Sequence, residues 1–170
     1  MRWLRHLLAI AVLPFTVAVL VPFWIGQRYG IVVAAGPSAG AILLQGLGMI
    51  VLVIGLALFV LSLRRFVTEG RGTLAPWDPP RELVVQGPYR FVRNPMISGV
   101  VFVLAGEAML LRSRAHALWA LAVLIMNVIY IPLLEEPGLR LRFGESYREY
   151  CRNVPRILPR LRPWVPQTHR

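Results

Sequence analysis

The stretch Ala41–Leu63 carries no charged side chain. A run of that length matches the roughly 20 apolar residues that cross a bilayer as a helix. Inside lipid every backbone N–H and C=O must be bonded within the protein, and a single segment does this only as an α-helix. The run settles the class as an all-α integral membrane protein. A hydrophobic content of 56% agrees with it. Further apolar runs at 7–25, 96–111 and 118–134 bring the expectation to about four transmembrane helices. They form one domain, 1–170, with a tail over 135–170. The first run is long for a signal peptide and lacks a small-residue cleavage site, so it is expected to stay as a span kinked at Pro14. Gly46, Gly48 and Gly55 suit close helix packing. The runs 96–111 and 118–134 are joined only by Arg112-Ser113-Arg114-Ala115-His116-Ala117, which makes them an antiparallel C-terminal hairpin.

Charge sets the orientation. All 19 basic side chains are arginine. With both termini in the cytoplasm, the inner segments hold Arg2, Arg5, Arg64, Arg65, Arg71, Arg81, Arg90, Arg93 and the arginines of the tail, while the outer loops hold only Arg28, Arg112 and Arg114. The positive-inside rule selects this arrangement, in an inner or plasma membrane. The arginines gather at the ends of apolar runs and no nucleic-acid motif accompanies them, so membrane lipids, not nucleic acid, are the expected partners. The single Cys151 excludes an internal disulfide and a multi-cysteine metal site, and is expected to pack in the tail. Glu107, inside a span, is expected to pair with Arg112 or Arg114, and Asn127 to bond between helices.

The long polar connection 64–93 contains a turn-rich piece, 72–80, whose prolines oppose a helix. It ends in Gly87-Pro88-Tyr89-Arg90-Phe91-Val92-Arg93-Asn94-Pro95-Met96-Ile97-Ser98-Gly99. Pro95 fits the first turn of the following helix, where no backbone donor is missed. The arginines and the amide thus collect where a helix N-terminus already favours an anion or a polar head. Glu135-Glu136-Pro137 closes the fourth span at the same membrane face, so the hairpin brings both polar stretches to one depth. In the tail, Leu139, Phe143, Tyr147 and Tyr150 recur at helical spacing and predict a cytoplasmic amphipathic helix, lying on the membrane or folding over the site. Beyond Val154-Pro155 the chain is expected to be irregular and frayed.

The first stretch resembles the Gly-x-Tyr-Arg-x-x-Arg-His-Pro-x-Tyr-x-Gly signature of the isoprenylcysteine carboxyl methyltransferase and phospholipid methyltransferase superfamily. A second block resembles the same superfamily: Glu135-Glu136, Leu139, Phe143-Gly144-x-x-Tyr147-x-x-Tyr150 and Val154-Pro155-Arg156. The likeness covers roughly residues 64–160. It implies S-adenosylmethionine as cofactor, bound on the cytoplasmic side, and a lipophilic or amphiphilic methyl acceptor arriving from the bilayer, with no metal. Carried over by position, Tyr89, Arg93, Asn94, Pro95, Glu135 and Glu136 contact the cofactor, Tyr147 and Tyr150 close its pocket, and Arg93 and Glu136 serve the reaction. Asn94 replaces the usual His and Ile97 the usual Tyr. An amide does not titrate, so Asn94 can replace a hydrogen-bonding His but not a proton-carrying one. Two other readings stay open: a nicotinamide-dependent membrane reductase of the sterol-reductase type, which shares a similar Arg-His-Pro hairpin, and a non-catalytic membrane protein with a degenerate site.

Overall fold

The computed structural model describes residues 11–29, 38–70, 81–157 and 159–165. Regular structure among them is entirely helical. Ala11–Leu20 winds in wide, π-type turns and passes directly into α1, Val21–Tyr29. Proline removes one N–H and crowds the carbonyl four residues back, and a widened turn relieves both. The kink expected at Pro14 therefore takes the form of a wide helix. Residues 7–10 of the expected first span, the N-terminal arginines and the proline-rich 72–80 piece lie outside the described residues.

Helix α2, Ala39–Glu69, extends past the expected end at Leu63. Its added turn is held by an Arg65–Glu69 ion pair at 3.0 Å and by the Thr68 hydroxyl donating back to the Arg64 carbonyl. Most of its apolar side chains face away from the protein: Leu43 is 75% exposed and Ile50 57%. Such a surface is costly in water and natural in lipid. Helix α3 spans Pro95–Leu110 and α4 spans Arg114–Tyr130. Their hairpin turn is tighter than expected, because the Ser113 hydroxyl accepts from the His116 N–H at 3.4 Å and starts α4 at once. Residues 114–117, expected in the loop, are helical. Arg112 takes a positive φ of 50° inside the turn.

Glu135-Glu136-Pro137 does not end the helix. A π-type stretch, Ile131–Glu135, carries α4 into α5, Glu136–Asn153. Pro132 and Pro137 lie near the starts of these two pieces, so the helix adjusts its pitch around them and does not stop. Gly144, at φ 55° and ψ −128°, breaks α5 where an L side chain would be strained. Two continuous helices, Ala39–Glu69 and Arg114–Asn153, are long and apolar enough to cross a membrane, and α3 is apolar but shorter.

The described residues pack as two units. The first lies within Met1–Ala57 and Gly99–Met126. Leu104, Ala120 and Val123 form its buried core, and the Trp119 indole donates to the Val17 carbonyl at 3.0 Å. Within it α2 and α3 approach at Gly48, Gly55 and Gly106: a Cβ on Gly55 would stand 2.7 Å from the Val103 nitrogen, and one on Gly106 2.7 Å from that of Leu52. Gly46, expected to share this role, has nothing within 4 Å. The second unit lies within Leu58–Ser98 and Asn127–Arg170. Its core is Tyr147, Tyr150 and Val154, with Leu139, Phe143 and Trp164 packed against them. The aromatic face read from the sequence thus packs inward.

The segment after Val154 is irregular but not frayed. Arg93 N–H donates to the Pro155 carbonyl at 2.9 Å, Arg160 N–H to Phe91 at 3.0 Å and Trp164 N–H to Arg90 at 3.0 Å. The Arg90 guanidinium returns a bond to the Trp164 carbonyl at 2.7 Å. Backbone groups that find no helix still need partners, and the polar turn before α3 supplies them.

Candidate active site

All the polar groups of the site belong to the second unit. Gly87, at φ 56°, turns the chain into a short 3₁₀ segment, Gly87–Arg90. Asn94 then stands at the N-cap of α3, where its carbonyl accepts from the Ser98 N–H at 3.1 Å, and the fully buried Pro95 begins the helix. This geometry holds Arg93 beside the start of α5.

Glu136 is 1% exposed and sits under three guanidinium groups. Arg93 Nη1 donates to its Oε1 at 2.9 Å. Arg156 grips both its oxygens with one guanidinium edge, Nε donating to Oε1 at 2.7 Å and Nη2 to Oε2 at 3.0 Å. Arg140 Nη2 adds a longer contact of 3.3 Å from one turn further along α5. Burial pushes the Glu136 carboxyl upward, but the Arg156 hydrogen bonds and the charges of Arg93, Arg156 and Arg140 outweigh it and hold the group below the usual carboxylate range. The same contact raises the Arg156 guanidinium. Arg93 and Glu136, 43 residues apart, are thereby joined as the hairpin reading expected. Arg156 is the partner that sequence reasoning left without a role. Its signal was present in Val154-Pro155-Arg156, but a bond to a residue 20 positions earlier has no helical periodicity to reveal it.

Glu135 differs from its neighbour. It is half-buried and has no hydrogen-bond or ion-pair partner among the described residues. Burial first, and then the adjacent Glu136 charge, push its carboxyl up. Arg93 is 11% exposed, and its Nε–H is buried without an acceptor. The half-buried side-chain amide of Asn94 also has no bond among the described residues. One buried donor, Arg93 Nε, is therefore left without an acceptor, and two half-buried groups of the same unit, Glu135 and Asn94, keep their side chains free of partners among the described residues.

The tyrosines are largely used by the fold. Tyr150 donates to the Tyr89 carbonyl at 2.7 Å, and its ring lies 5.9 Å from that of Trp164. Tyr147 and Tyr150 are 3% and 2% exposed. Burial raises all three phenols, and for Tyr89 the nearby Glu135 and Glu69 charges add to it. Cys151 packs in the tail as expected, and its sulfur also accepts from Arg93 Nη1 at 2.9 Å.

The site is thus a buried arginine–carboxylate cluster at the end of apolar helices, with one guanidinium N–H left to bond. Residues 43–146 match the phospholipid methyltransferase family, and the chain belongs to it. It is also similar to methanethiol S-methyltransferase 2 of Bradyrhizobium diazoefficiens, with 40% identity over 76 residues, 43% of this chain. The matched stretch covers 27% of that relative's length. No solved structure matches the chain.

Proposed function

We propose that this chain is an integral-membrane, S-adenosylmethionine-dependent methyltransferase acting on a lipid-like or amphiphilic acceptor at the cytoplasmic face. In this reading it has four spans, both termini inside, and α5 lying at the membrane surface. The observation that carries it is the buried, unbonded Arg93 Nε, with the partner-free side chains of Glu135 and Asn94 in the same unit as the saturated Glu136. These groups fit the cofactor. An amino-acid tail presents one ammonium and one carboxylate: Glu135 would take the first and the free edge of Arg93 the second.

The bound cofactor would supply a methyl group on a sulfonium centre, open to in-line displacement. The protein's part is then positioning and the exclusion of water rather than covalent help. Glu136 holds the Arg93 and Arg156 guanidinium groups in place. Pro95 and the Asn94 N-cap fix where the donor groups end. Tyr147 and Tyr150 close the unit from the side of α5. Asn94 donates or accepts a hydrogen bond but carries no proton, so an acceptor that must lose a proton would lose it to another base.

A second acceptor reading is favoured by the methanethiol S-methyltransferase of Bradyrhizobium diazoefficiens: a small lipophilic thiol. The test measures binding and transfer together. Detergent-purified protein is melted with S-adenosylmethionine, its demethylated product or NADPH, and isotope-labelled S-adenosylmethionine is then offered with membrane lipids or with short alkyl thiols. A ligand at a hundred times its dissociation constant adds about 2.7 kcal/mol of stability. Stabilisation by NADPH alone would move the chain to the reductase reading, and label in thiols but not in lipids would decide the acceptor.

A further inference from the structure

The first unit contains a groove of about 500 Å³, within the usual range for small-ligand sites. Val19, Phe23, Leu110 and Leu111 give it apolar walls, Glu107 and His116 are its ionisable groups, and Gln27 adds a neutral amide that makes no bond to Glu107. Glu107 makes no ion pair among the described residues, and its buried Oε2 accepts no hydrogen bond. The pairing expected with Arg112 or Arg114 is not formed. An ionised carboxyl in this state is costly in an apolar segment; a proton relieves the cost, and so does a cation brought from outside the chain.

His116 does not fill that need. Its Nε2 lies 3.1 Å from the Pro22 carbonyl and its Nδ1 2.7 Å from the Ser113 hydroxyl. A carbonyl can only accept, so Nε2 carries a proton toward Pro22 and both ring nitrogens are occupied within the fold. No arginine is among the described residues that line the groove. A phosphate head would therefore meet a carboxylate and no counter-charge, whereas an ammonium would meet Glu107 and the Phe23 ring.

We infer that this groove binds a single-chain amphiphile through a protonated amine head seated on Glu107, with its alkyl chain along Val19, Leu110 and Leu111. The site is separate from the methyl-transfer reading and does not depend on it. The whole protein in phosphatidylcholine nanodiscs is titrated with radiolabelled dodecylammonium, with empty discs giving the partition background. Saturable binding is expected. Glu107→Gln should weaken it about ten- to a hundredfold, the effect of losing one charge-assisted hydrogen bond. That variant should melt no lower than the parent, because the carboxylate bonds nothing within the fold. Val19→Trp, which fills the groove and keeps the carboxylate, should also remove binding. Equal competition by dodecanol, undiminished binding to Glu107→Gln, or no saturable binding above empty discs would each overturn the inference. Stronger displacement by phosphatidylethanolamine than by unlabelled dodecylammonium would overturn the exclusion of phosphate heads.

Discussion

Glu135 and Glu136 are adjacent, yet their neutralisation should have opposite consequences. In Glu136→Gln the amide keeps the shape but leaves Arg93 and Arg156 facing each other without a counter-charge. Arg140 contributes little, since its side chain is 55% exposed and its contact is 3.3 Å. Removing one partner of a buried ion pair costs about 3–5 kcal/mol. For a chain of this size each kcal/mol is worth about 2–4 °C, so melting of the ligand-free protein should fall by roughly 6–20 °C. Glu135→Gln removes a carboxylate with no partner and relieves its repulsion by Glu136, so melting should stay level or rise slightly. Its effect should appear in cofactor binding: losing one charge-assisted contact costs about 1.5–3 kcal/mol, or about ten- to a hundredfold in affinity for S-adenosylmethionine. Melting curves without ligand and titration calorimetry with S-adenosylmethionine, run on both variants, separate the two roles. A Glu136→Gln protein that melts with the parent refutes the account of the cluster. A Glu135→Gln protein that binds normally removes Glu135 from the site.

Acid should destabilise the protein through Glu136. Its carboxyl ionises more readily folded than unfolded, so its contribution is complete above the ordinary carboxylate range and is lost as pH falls through the lower folded value; Glu136→Gln should flatten this acid limb in melting curves taken across pH. Gly55→Leu would force a side chain into the 2.7 Å approach to the α3 backbone and should cost about 1–3 kcal/mol, read as earlier unfolding in detergent. Reporter fusions placed after Gly36 and after Arg162 should lie on opposite sides of the membrane, and the same side for both would break the four-span topology.

Much of the helical plan was legible because it rests on local signals. Ala41–Leu63 announced a spanning helix through composition alone, and Leu139, Phe143, Tyr147 and Tyr150 announced an amphipathic helix through their spacing, though not what its apolar face packs against. The meeting of Arg93 with Glu136 followed from the shortness of the hairpin between them. What stayed hidden depends on pairings without a period. The attachment of residues 154–165 to the turn before α3 is made of single backbone bonds between irregular segments, and nothing in Arg160 or Trp164 marks them as donors to Phe91 and Arg90. The continuation of the helix through Pro132 and Pro137 was also concealed, because a proline reads as a stop unless the turn can widen. Glu107 was misread for a related reason: two arginines close in sequence suggested a partner, while the turn at Arg112 leaves the carboxylate unpaired.

The strap formed by residues 154–165 has a consequence for biosynthesis. Arg90 and Trp164 are 74 positions apart, so the bonds between them close a long loop in the second unit. During synthesis the helices can enter the bilayer while Arg93 still waits for Glu136, and Arg156 emerges later still. Each nascent chain therefore passes through an interval in which Glu136 has emerged but lacks Arg156, and the turn before α3 lacks the bonds that Arg160 and Trp164 supply. Any pause, fusion or cleavage that delays or removes that strap would leave the arginine–carboxylate cluster unassembled and the backbone of the turn before α3 without those partners.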